Sequence, residues 1–178
     1  MTNRPLVDRL CSLSERGYAH RGWYLQAHQQ VRHLAGLLGV STVRCADLLS
    51  LFSPRVAVKR SINFTVHYLT TNGEFRHDVT RSVRAAVAYY EQTGIIRGPK
   101  TSAFASAIMQ DESAVVLDTW MAQAMRVDQR EFVRQRYEYH ADVVRRVSVR
   151  LGIPAARTQA AIWSGIVMEH GRRVPHMS

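Results

Sequence analysis

The segment Gly94-Ile-Ile-Arg-Gly-Pro-Lys-Thr-Ser-Ala-Phe104 separates two stretches with helical spacing, and its reading decides the fold. Ile95 to Pro99 is too short and too rich in Gly and Pro for a helix. Thr101 to about Met109 is helical, with Phe104 and Ile108 four residues apart. A short loop running into a helix leaves backbone N–H groups without intrahelical acceptors, and the helix dipole adds positive potential there. Gly98 supplies the turn, and Arg97 and Lys100 add charge beside it. The segment therefore predicts an anion site that suits a DNA phosphate, a contact that positions without reading sequence. A plain helix–helix turn with an exposed lysine accounts for the same residues.

Outward from this loop, nearly every stretch reads as helix. Trp23 to Leu38 puts Trp23, Ala27, Val31, Leu34, Ala35 and Leu38 on one stripe, and Gly39 stops it. Ser41 can cap a helix over about Thr42 to Phe52 that is apolar nearly all round, the pattern of a central core helix. Ser53-Pro54 ends it, and Pro54 is expected to start the next helix, Arg55 to Thr70. Asn72-Gly73 is a turn, and Asp78 or Thr80 starts a helix that stops at Gly94. Asp128 and Glu131 have capping-box spacing for a longest helix over about Gln129 to Leu151. Gly152 ends that helix, and Pro154 starts a last one through Ile166. No run alternates as a strand. The expected class is all-α, a single helical domain over 1–178 with a core at 21–126, completed by 127–170. The stretches 1–20 and 171–178 are expected as arms, with a packed helix as the alternative for the first.

The chain carries 24 Lys+Arg against 14 Asp+Glu, a formal charge of +10, and its only lysines are Lys59 and Lys100. Such a surface favours polyanions through counterion release. A genome rich in arginine codons would give the same charge without any polyanion partner. No apolar run approaches the roughly 18 residues of a membrane span, and no apolar leader follows the N-terminus. Cys11 and Cys45 make neither a zinc site nor a disulfide framework, and a reducing cytoplasm is the expected location. The eight histidines show no metal-ligand spacing, so no metal and no cofactor are expected.

A second informative segment is Val115-Val-Leu-Asp-Thr-Trp-Met-Ala122, in which Asp118 follows an apolar run and opens a short helix to about Arg126. A helix N-cap is the common role for such an Asp. A capping carboxylate can also face a cleft with one oxygen, and the helix start holds it ionised. A third segment, Asp47-Leu-Leu-Ser-Leu-Phe-Ser-Pro-Arg-Val-Ala-Val-Lys-Arg-Ser-Ile-Asn63, places Ser53, Arg55, Lys59, Arg60 and Asn63 at or after a turn. A solvated helix face explains those side chains equally well.

In this order the segments resemble the helix-hairpin-helix DNA glycosylase superfamily. Gly98-Pro-Lys-Thr followed by Leu117-Asp-Thr is similar to that family's Leu-Pro-Gly-Val-Gly-x-Lys-Thr hairpin and its later Val-Asp-Thr-His segment. Lys100 and Asp118 lie 18 residues apart, as in the endonuclease-three-like branch. Asp47 to Asn63 is similar to that branch's Leu-Leu-Ser-Ala-Gln-x-x-Asp-x-x-Val-Asn stretch. The likeness covers about Ser41 to Arg126 and extends to a group of phage and actinobacterial proteins with Ser-Pro-Arg, Gly-Pro-Lys and Leu-Asp or Val-Asp segments. Departures are specific. Ile96 stands at the hairpin's first glycine, Ser53-Pro54 replaces the glutamine-containing turn, Trp120 stands where the branch has His, and the four-cysteine iron–sulfur loop is absent. They argue against a standard oxidised-pyrimidine repair enzyme.

The resemblance implies a partner, double-stranded DNA, in the cytoplasm of a bacterium or encoded by its phage, and a chemistry, cleavage of an N-glycosidic bond. Asp118 would stabilise the oxocarbenium-like sugar, and Lys100, as a neutral amine, could attack C1′ to form a Schiff base, so that strand cleavage follows. Burial or a neighbouring cation such as Arg97 would favour the neutral amine. The base must leave the stack, and Trp120 could stack on it, although core packing is an equal use for that ring. DNA contacts are expected at Arg97, Gly98, Thr101, Ser53, Arg55, Lys59, Arg60 and Asn63. A non-catalytic DNA-binding module on the same fold and a phage-type base-modification enzyme are the alternatives, with an RNA-binding helical bundle a further class.

Overall fold

A computed structural model describes residues 4–175, the side chains of 134 and 135 excepted. Every regular element among the described residues is helical. The elements are α1 (Arg4–Arg16), a 3-10 turn (Tyr18–His20), α2 (Trp23–Leu38), α3 (Thr42–Phe52), α4 (Val58–Thr70), α5 (Arg81–Thr93), α6 (Pro99–Ile108), α7 (Thr119–Met125), a 3-10 turn (Gln129–Glu131), α8 (Arg134–Leu151) and α9 (Ala155–Glu169). The all-α expectation holds. No single helix among the described residues is long and apolar enough to cross a membrane.

The contacts divide the chain into two units, one of residues 1–25 with 110–174, the other of residues 26–109 with 175–178. In the 26–109 unit α3 is central and packs against α4, α5 and α6. Its apolar sequence explains the position, since Cys45, Ala46, Leu48, Leu49, Leu51 and Phe52 are all buried. Phe52 anchors an aromatic cluster with Phe64 at 5.9 Å, Tyr68 at 5.7 Å and Phe75 at 6.4 Å between ring centroids. The connector before α5 is tied down by Arg84, which donates to the carbonyls of Val79 and Arg76 at 3.0 and 2.8 Å.

In the other unit α9 is central, and α1, α7 and α8 pack around it. Residues 4–20 follow the packed-helix alternative rather than the arm, because α1 buries Leu10, Cys11, Leu13 and Ser14, and 1–3 lie outside the described residues. Of the arm expected over 171–178, Val174 is buried, and 176–178 lie outside the described residues.

Three helix starts differ from expectation. Pro54 does not begin α4, because Arg55 adopts a left-handed φ of +61° and α4 starts only at Val58. Pro99 belongs to α6 as its first residue, where its missing N–H costs nothing. Asp128 caps only the 3-10 turn, its carboxylate accepting from the Arg130 N–H, and α8 begins afresh at Arg134.

Candidate nucleic-acid interface

In the 26–109 unit the hairpin between α5 and α6 is built by local chemistry. Gly94 ends α5 in the left-handed region and donates its N–H to the Tyr90 carbonyl at 2.7 Å. Ile96 packs against the hydrophobic core that contains Phe52. Arg97 lies over the Tyr89 ring, 3.3 Å from its centroid. A hydrogen bond and the charge of that guanidinium draw the Tyr89 phenol below its ordinary value. Gly98 turns the chain at φ +98°, a value that demands glycine, and provides no side-chain cap for α6. Thr101 closes the turn by donating its hydroxyl to the carbonyls of Arg97 at 2.8 Å and Gly98 at 3.0 Å. Thr101 is thus buried and its hydroxyl is engaged within the hairpin, so its side chain serves the turn rather than an outward contact. Lys100 is partly buried at the second position of α6.

The turn between α3 and α4 carries the second group of expected contacts. Ser53 donates its hydroxyl to the Ser50 carbonyl at 2.7 Å. Arg55, Lys59 and Asn63 are exposed. Arg60 is exposed as well, but it is ion-paired with Asp78 at 3.0 Å, a carboxylate shared with Arg76 at 3.2 Å. The start of α4, like that of α6, has no side-chain cap and no acidic residue in its first turn.

Asp118 belongs to the other unit. The segment that delivers it, Ala114 to Leu117, is buried. It is held by Tyr137, whose hydroxyl donates to the Val115 carbonyl at 2.8 Å and accepts from the Leu117 N–H at 3.0 Å. Burial pushes the Tyr137 hydroxyl well up, so it stays a neutral donor. Asp118 is the N-cap of α7, as its place in the sequence predicts, with Oδ1 accepting from the Met121 N–H at 3.0 Å. Oδ2 accepts from Trp163 Nε1 of α9, also at 3.0 Å. Trp163 in turn sits 6.1 Å from Trp23. Trp120, two residues on, is partly exposed and packs with the His170 ring at 5.6 Å and the Arg172 guanidinium at 5.2 Å. Lys100 and Asp118 thus fall in different units, each set in place by its own surroundings.

Tyr137, Tyr89, Trp163, His170 and Arg172 complete these sites and were not singled out by spacing. Each meets its partner through tertiary packing or a loop, which no local period encodes.

These features define an all-helical, arginine-rich protein with a turn-borne cationic helix start and a capped, indole-bonded carboxylate. The chain belongs to the DUF7178 family, a family of unknown function, whose profile matches residues 14–171. Neither a curated protein nor a solved structure matches it.

Proposed function

We propose that this protein binds double-stranded DNA, seating a backbone phosphate at the α5–α6 hairpin, and that Asp118 acts on the N-glycosidic bond of a damaged or modified base. The observation that carries the binding reading is the hairpin itself. Gly98 opens α6 without a side-chain cap, and Arg97 and Lys100 flank it. Helix-start N–H groups and two cations suit a phosphate oxygen. The uncapped start of α4, with exposed Lys59 next to it, offers the same chemistry to another phosphate of the strand.

In the chemical reading the ionised Asp118 stabilises positive charge on the sugar as the base leaves with the bonding electrons. It also takes a proton from the water that adds to C1′. One observation favours a second reading, a DNA-binding module without chemistry. Both Asp118 oxygens already accept hydrogen bonds, from Met121 N–H and Trp163 Nε1–H.

The test uses end-labelled duplexes carrying varied damaged and modified bases, incubated with and without subsequent alkali. Alkali-dependent breaks that disappear in Asp118→Asn support the enzyme, and breaks without alkali that disappear in Lys100→Ala add the lyase step. Salt-dependent duplex binding with no breaks on any substrate selects the module. No duplex binding at low salt overturns both.

A further inference from the structure

The end of α9 and the short helix α7 carry a second cluster, apart from the hairpin. Trp120 is partly exposed on the first turn of α7. Its ring meets two groups from the segment after α9: the His170 ring, tilted by 59° at 5.6 Å, and the Arg172 guanidinium at 5.2 Å from the indole centroid. The His170 ring is not stacked flat on the indole, and both groups belong to exposed residues. Gly171, at φ +68°, ends the helix and turns the chain so that Arg172 lies back over the ring.

The end of α9 is rich in arginine. Glu169 is the carboxylate next to His170 in sequence, and it is held by two arginines of α1, Arg9 at 3.1 Å and Arg16 at 3.0 Å. Arg9 also donates to the carbonyl of Ala124 in α7 at 2.9 Å, which brings these groups to the same part of the unit. Arg126 ends α7, exposed and left-handed at φ +57°. Arg126, Arg172 and Arg173 have no carboxylate partner among the described residues. Glu169 is thus held by Arg9 and Arg16, while Arg172 lies over the half-buried indole. Such a surface repels a cationic partner. It matches a partner that brings a flat π-face and a negative charge a few ångströms apart, the chemistry of a nucleotide.

We propose that Trp120, His170 and Arg172 grip one unpaired nucleotide. The base stacks on the indole, and Arg172 swings from the ring to the nucleotide's phosphate. A paired base inside a duplex hides both faces in its own stack, so the grip takes a nucleotide that is bulged, extruded or in a single strand. The inference deepens the nucleic-acid reading and rests on it for its partner class, yet it uses none of the hairpin residues.

The experiment measures binding, by fluorescence anisotropy at fixed low salt, of three labelled DNAs: a plain duplex, the same duplex with one bulged thymidine, and a single-stranded oligothymidine. The full chain is compared with Trp120→Ala, Trp120→Phe and Arg172→Gln, each checked for its helical circular dichroism. One base stacked on an aromatic ring is worth roughly tenfold in affinity. The bulged duplex is expected to bind about tenfold more tightly than the plain one. Trp120→Ala and Arg172→Gln are expected to erase that advantage, and Trp120→Phe to keep part of it. Equal affinity for bulged and plain duplexes in the unaltered protein overturns the grip, as does an advantage that survives Trp120→Ala. Binding of the single strand and the bulged duplex through Trp120, with no binding of the plain duplex, would sink the hairpin reading and leave the grip standing. Binding to none of the three DNAs overturns both.

Discussion

A β-carbon placed on Gly165 would lie 2.0 Å from the carbonyl oxygen of Leu13. The approach is reciprocal, because a β-carbon on Gly17 would lie 2.0 Å from the Ala161 carbonyl oxygen and 2.5 Å from the Gly165 nitrogen. Here α1 and α9 meet backbone to backbone. The atoms in the way are main chain and cannot rotate aside as a side-chain end can. Gly165→Ala and Gly17→Ala are each expected to destabilise their unit by about 3 kcal/mol or more, the upper range for overpacking. Urea unfolding followed by circular dichroism measures this. A loss below about 1 kcal/mol would mean that the crossing is looser than described. Ser14 and Ser164 sit in the same stretches, buried, with hydroxyls that find no hydrogen-bond partner. Ser14→Ala is expected to be neutral or stabilising, since it removes an unsatisfied group.

Asp118 and Trp163 are expected to be energetically coupled. Asp118→Ala removes a helix cap, a loss of about 1 kcal/mol. It also strands the Trp163 N–H, at about 1–3 kcal/mol if the indole cannot reach water. Trp163→Phe removes the donor and leaves the cap. A double-mutant cycle on thermal or urea unfolding should therefore return an interaction energy above about 0.5 kcal/mol. Strict additivity would show that the 3.0 Å contact contributes nothing to stability.

Stability should also depend on pH through Asp47. Burial raises its carboxyl above the ordinary 3.8, and the hydrogen bond from the Tyr90 hydroxyl, at 2.7 Å, pulls it part of the way back. The folded protein thus holds the Asp47 proton more tightly than the unfolded chain does. The resulting stability is fully present below the unfolded value and is lost as pH rises through the raised folded value. Asp47→Asn keeps an acceptor for Tyr90 and has no charge to bury. Its stability relative to the unaltered protein should climb as pH rises above 3.8 and then level off. Tyr90→Phe, which removes the opposing bond, should extend that climb to higher pH. Parallel urea titrations from pH 4 to pH 7 decide the matter, and a gap that does not vary with pH refutes it.

Neither cysteine should react in the folded protein. Cys45 is buried in α3, and burial alone pushes its thiol up to about 11. Burial also raises the Cys11 thiol, against the charge of Arg150. At pH 8 a chromogenic aromatic disulfide should release almost no thiolate from the native protein and two equivalents once it is unfolded in guanidinium. Fast labelling of one site without denaturant would show local opening of the helix that bears it.

What the sequence discloses follows the range of the interactions involved. The spans of α2 and α3 can be read directly, because Trp23 to Leu38 and Thr42 to Phe52 carry their period and their stops within themselves. So can the cap at Asp118, which bonds three residues ahead. The start of α4 cannot, since proline at 54 is equally compatible with a helix and with the left-handed turn that Arg55 makes. The capping-box spacing at Asp128 misleads for a similar reason: a cap of this kind fits a 3-10 turn as well as an α-helix. The partners that give the candidate sites their chemistry come from far along the chain. Trp163 reaches Asp118 across 45 residues, and Arg172 reaches Trp120 only because α9 returns alongside α7. The glycine crossing of α1 with α9 escapes for the same reason, as two ordinary glycines acquire meaning only when their helices touch.

The chain order of the two units sets a timetable for synthesis. Residues 26–109 are continuous, so α3 has all its partners as soon as α6 has been made. By contrast α1, made before that unit, has its chief partner in α9, about 140 residues later. At roughly 5–20 residues per second the interval is of the order of ten seconds. Throughout it, Leu10, Leu13 and the bare backbone around Gly17 have no α9 to cover them. A nascent chain stalled after α6 would hold a finished α3 cluster beside an unclosed first helix, which marks α1 as a point where a chaperone could act.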